Sequence, residues 1–142
     1  MCTVVFIAAN NPLPLIEWDE NAPSFYVSQI TQAEDWVQEH LTKPFIYSLG
    51  SYTGCACGFD YGLKGFKNDE DKECDLKARE SVRRLAKYLS EALQHGSVEM
   101  FANDGSEWDF ELMERVTVTP SYFGGDSFNF EGMKFFIIEH ES

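Results

Sequence analysis

Positive charge is scarce in this chain, and so are the features that would mark it as exported, membrane-spanning or repetitive. Eleven Lys and Arg stand against 24 Asp and Glu, a net charge of −13. A surface of that sign repels nucleic-acid phosphates and anionic lipid, so neither nucleic acid nor a membrane is an expected partner. The apolar opening from Thr3 to Ala9 has no basic leader and stops at Asn10-Asn11-Pro12. It is too short for a span and lacks the organisation of an export signal. Cysteine is limited to Cys2, Cys55, Cys57 and Cys74. In a chain without an export signal these are expected to be the reduced thiols of a cytoplasmic protein. Internal repeats, low-complexity segments and linkers are also missing, which leaves residues 1–142 as one expected globular domain.

What is present is ample material for a core: 44% of the residues are hydrophobic and 15% aromatic, with twelve Phe and six Tyr. A chain of this size needs no disulfide or metal to fold. Residues 2–9 form an apolar, β-branched run on both alternating faces, the pattern of a strand buried centrally in a sheet. Residues 10–22 carry prolines and acids without period and read as a surface loop. Phe25 to Ile30 is read as a short strand. Thr31-Gln32-Ala33-Glu34 fits a capping box, and Ala33, Trp36, Val37 and Leu41 share one helical face, so a helix is expected from Gln32 to Leu41, closed by Pro44. Phe45 to Ser51 is read as the next strand. Lys64 to Glu73 is charged and poor in apolar residues, a loop or the lead-in to a helix.

The strongest helical pattern lies beyond it. Leu76, Val82, Leu85, Ala86, Leu89, Ala92 and Leu93 recur at three and four residues, with Asp75 as the expected cap and His95-Gly96 as the stop. The opposite face carries Arg79, Arg83, Arg84 and Lys87, and eight of the eleven basic residues fall between Lys64 and Lys87. Three further strands, Val98 to Ala102, Arg115 to Thr119 and Met133 to Glu139, are separated by turn signals and suggest an antiparallel meander. The expected fold is α+β: a mixed sheet of about five or six strands with two helices packed on one face.

The best candidate site is Gly50-Ser51-Tyr52-Thr53-Gly54-Cys55-Ala56-Cys57-Gly58-Phe59-Asp60-Tyr61-Gly62. Its glycines let the backbone approach a ligand closely, and Cys-x-Cys in an extended segment aims both thiols to one side. Tyr52, Gly54, Cys55, Cys57 and Asp60 are therefore the candidate ligand- or partner-binding residues. Cys55 and Cys57, with Cys74, are weak candidates for a metal, because zinc sites usually show a second ligand pair and none is present here. The plainer reading of the loop is tight turns around small buried thiols. Tyr122 to Phe130 interleaves aromatic residues with Gly124-Gly125 and reads as a hairpin loop. Asn103 to Glu111 is acidic but lacks the ligand spacing of a calcium loop and reads as a solvated turn.

These features lean away from an enzyme and imply no cofactor. The leading expectation is an interaction module for a basic protein partner, in the manner of small acidic inhibitors or immunity proteins. The competing expectation is a small enzyme or metal-binding sensor built on Gly54-Cys55-Ala56-Cys57-Gly58. A homodimer formed through a sheet edge is a third.

Overall fold

A computed structural model describes residues 4–17, 21, 25–30, 38–39, 41–52, 59, 61–62, 68–103, 114–125, 128 and 134–140. These form a six-stranded mixed sheet with one long helix. The strands are β1 (Val4–Ala9), β2 (Tyr26–Gln29), β3 (Phe45–Gly50), β4 (Val98–Asn103), β5 (Glu114–Val118) and β6 (Lys134–Ile138), in the spatial order β2-β3-β1-β4-β6-β5. The helix, α1, is Asp69–Ala92.

The position of β1 follows from its composition. It pairs antiparallel with β3 on one side and β4 on the other, Ile7 lying opposite Tyr47 and Met100. Both of its faces are covered: Val5, Ile7 and Ala9 join the cluster beneath α1, while Phe6 and Ala8 join a second cluster with Phe101 and Phe135. A strand buried on both faces needs no polar alternation, and this one has none.

The helix crosses one face of the sheet between β3 and β4, with β1 lying between those two strands. Its buried stripe is Ala78, Ser81, Val82, Leu85, Tyr88, Leu89 and Ala92. Each large aliphatic side chain removed from water there contributes about 2 kcal/mol. The helix begins earlier than its apolar pattern. Asn68 is the N-cap, its side chain accepting from the Asp71 amide at 2.9 Å. Asp69, Glu70 and Asp71 fill the first turn, where carboxylates suit the positive end of the helix dipole. Asp75, expected as the cap, is thus inside the helix, and Leu76 is 66% exposed rather than on the buried stripe. At the other end a 3₁₀ turn (Leu93–His95) runs into Gly96 at φ +115°, a conformation that favours glycine.

One further expectation is corrected. The last three strands are present but form no meander: β4 neighbours β6, and β5 pairs with β6 in parallel, Arg115 opposite Phe135. A parallel pair requires a crossover, and the connection carries a 3₁₀ turn (Pro120–Tyr122) and sends Phe123 and Phe128 into the cluster beneath α1. The expected helix at Gln32 to Leu41 lies almost wholly outside the described residues. Leu41 itself packs with Phe6, Phe101 and Phe135, on the sheet face opposite α1. No described helix is long and apolar enough to cross a membrane.

Candidate functional site

The glycine- and cysteine-bearing segment leaves the sheet where β3 ends. Gly50 closes that strand, and the Tyr26 ring of β2 occupies the space that a side chain here would need. Ser51 is fully buried, and the Tyr52 amide donates to Ser81 Oγ on α1 at 3.1 Å. The same Ser81 hydroxyl donates to the Lys77 carbonyl at 3.1 Å, a common resolution for a serine buried inside a helix. Tyr52 is half-buried and lies beside Cys74 of α1. Burial first, and the thiol second, push the Tyr52 phenol up to about 12, so it is neutral at physiological pH.

The segment is fastened again further on. Phe59 is fully buried against Phe25, ring centroids 6.2 Å apart. Tyr61 and Phe128 exchange two backbone hydrogen bonds of 3.0 Å, and the Tyr61 hydroxyl donates to the Gly125 carbonyl at 2.9 Å. The two glycine-bearing segments that are separate in sequence are therefore one assembly. The helix holds it from the other side: the Arg79 guanidinium lies 4.6 Å from the Tyr61 ring centroid, and Asp75 accepts from Arg79 Nε at 2.7 Å and from the Gly62 amide at 2.8 Å. The Arg79 hydrogen bond is the main reason why the Asp75 carboxyl sits below its usual range, with the Gly62 amide adding to it.

Of the candidate residues, Tyr52 and Cys74 are thus brought together. Gly54, Cys55, Cys57 and Asp60 lie outside the described residues, as do Cys2 and most of the acidic stretch from Asn103 to Glu111. Among the described residues no group of three or more His, Cys, Asp or Glu is arranged to hold a metal ion. Comparison with protein-family models, curated proteins and solved structures returns no match. Function has to be read from the residues themselves.

Sequence reasoning missed Ser81, Asp75, Arg79 and Tyr61 as the parts that fix this corner. The Asp75–Arg79 spacing of four on a helix was a readable signal. The meeting of Tyr61 with Phe128 was not, because isolated bridges between distant segments carry no local pattern.

The same helix decides the charge of the surface. Glu80 accepts from Arg83 Nε and Nη2 at 2.7 and 2.6 Å and from Arg84 Nε at 3.0 Å. Lys77 pairs with Glu73 at 3.3 Å, and Arg79 with Asp75. Most of the helix's positive charge is therefore engaged by carboxylates one turn away. Arg115, on β5, is stacked over the Phe135 ring at 4.5 Å.

Proposed function

We propose that the protein is a binding module whose partner is a basic protein. The supporting observation is the ion pairing of α1: Lys77, Arg79, Arg83 and Arg84 are engaged by Glu73, Asp75 and Glu80 of the same helix, in a molecule whose net charge is −13. A strongly single-signed surface speeds encounter with the opposite charge and discriminates against like-charged competitors. The exposed acids Asp69 and Glu70, at the start of α1, are part of that surface. The test is capture of proteins from the native cell on the immobilised chain at low salt. Basic proteins should be retained and released as salt rises, and Asp69→Lys with Glu70→Lys should weaken retention. Retention indifferent to salt, or of acidic proteins, would overturn the reading.

One observation favours a second reading, a thiol-based site. Tyr52, which lies beside Cys74, precedes Cys55 by only three residues in the sequence. Elemental analysis of the purified protein, with Cys74→Ser beside it, separates the two: metal lost in the variant supports the thiol site, and a metal-free parent removes its metal form.

A further inference from the structure

The C-terminal half of α1 and the segment Pro12 to Ile16 frame two adjoining cavities of about 300 Å³ each, which share Tyr88 and Glu91. That volume is at the small end of the range for ligand sites. The walls are held in place by two phenols. The Tyr88 hydroxyl donates to the Pro14 carbonyl at 2.6 Å, and the Leu13 amide donates to the Tyr47 hydroxyl at 2.9 Å. The floor of the first cavity is apolar, with Ile16, Phe25 and Tyr88, whose two rings lie 5.6 Å apart. Leu13 and Ala92 continue the apolar surface into the second, and beside it Leu15 is 53% exposed.

Above this floor the charge inverts relative to the rest of the molecule. Arg83, Arg84 and Lys87 line the rim. Glu80 takes both forks of Arg83 but only Nε of Arg84. Among the described residues, the terminal nitrogens of Arg84 and the ammonium of Lys87 have no partner. These two residues are three apart on the helix and so are neighbours on its surface. The arginines and Glu80 together leave one positive charge, Lys87 adds a second, and Glu91 at the far end removes one. A single negative charge balances the rim, whereas the field of an acidic protein works against a dianion.

We propose that this groove binds an amphiphilic monocarboxylate, with the carboxylate on Arg84 and Lys87 and the apolar body over Ile16, Phe25 and Tyr88 towards Leu13. Arginine suits the planar carboxylate, and the floor supplies the affinity that an exposed ion pair does not. The site is separate from the acidic surface and does not depend on a basic partner. Titration of the full chain with decanoate below its micellar concentration, followed by calorimetry, tests it. Saturable one-to-one binding is expected, with acetate much weaker and decylamine failing to compete. Lys87→Glu should weaken decanoate about tenfold and Lys87→Arg should retain it. Lys87 is exposed, so both variants should fold and melt in a single cooperative transition. Absent saturation, equal competition by decylamine, or unchanged affinity in a folded Lys87→Glu protein would each overturn the proposal.

Discussion

Glu99, on β4, is a carboxylate with 6% of its surface exposed, on the sheet face opposite α1. Its Oε1 accepts from the Thr42 and Lys43 amides at 2.8 and 3.2 Å, and its Oε2 accepts from the Thr42 hydroxyl at 2.9 Å. Ala8 of β1 lies opposite Glu99 on one side and Ile46 on the other, and its methyl leaves room for the carboxylate to reach the entry to β3. A buried charge is tolerable because three donors replace its water. Truncation leaves two amides and a hydroxyl without their acceptor, so Glu99→Ala should destabilise by about 3 kcal/mol in urea unfolding. Glu99→Gln keeps the acceptor oxygen and should cost about 1 kcal/mol. Equal losses would mean that the contacts are filled by water. Gly50 is fixed by a different cause, the approach of Tyr26, so any side chain there has to displace the ring of the neighbouring strand.

Among the elements, α1 carries the most information, because it packs the core, anchors the Gly/Cys corner and sets the surface charge. Its start depends on one side chain. Asn68→Ala removes the acceptor for the Asp71 amide and should cost about 1 kcal/mol, while Asn68→Asp should be neutral or stabilising at the positive end of the helix dipole. A thermal melt reads this as a shift of about 4 °C. An unchanged midpoint in Asn68→Ala would show that the first turn frays in the parent. The apolar period made the rest of the helix legible, but its first turn has no apolar residue and so reads equally as a loop or as a lead-in. The strands were legible to within a residue or two where β-branched and aromatic residues run together, as in β1 and β3. The partner and direction of β5 were not, because a five-residue strand has the same alternation in a parallel as in an antiparallel pair. In the candidate site, glycine clustering singles out Gly50 to Gly62, whereas Tyr122 to Phe130, expected as a hairpin loop, belongs to the crossover between the parallel strands β5 and β6. What joins them, Tyr61 to Phe128 and Arg79 over Tyr61, comes from contacts far apart in sequence.

At the scale of the whole molecule two electrostatic effects oppose each other as pH falls. With a net charge of −13, carboxylates repel one another more in the compact state than in the unfolded chain. Protons taken up between neutral and mildly acidic pH relieve that repulsion, and stability should rise over this interval. The paired carboxylates of α1 act in the opposite sense. Hydrogen bonding from Arg83, and then from Arg84, lowers Glu80 from 4.5 to about 2, and Arg79 lowers Asp75 from 3.8. A carboxyl depressed in the folded state contributes its full stability above its unfolded value and loses it as pH falls towards the folded value. For Glu80 that interval runs from 4.5 to about 2. Its side chain is 38% exposed, so solvent screens much of this contribution. Asp75 is 10% exposed and also holds the Gly62 amide, so its protonation loosens the Gly/Cys corner as well as the helix. The thermal midpoint should therefore climb as pH is lowered from 8, pass through a maximum, and turn down below 4.5, where Glu80 and then Asp75 begin to lose their ion pairs. Sodium chloride should raise the midpoint at pH 8, by screening the repulsion, and have a smaller effect at the maximum. A midpoint that falls steadily from pH 8 downward would show that the ion pairs outweigh the repulsion throughout. An absent salt response at pH 8 would place the acidic residues too far apart to repel, and a negative one would show that the ion pairs outweigh the repulsion.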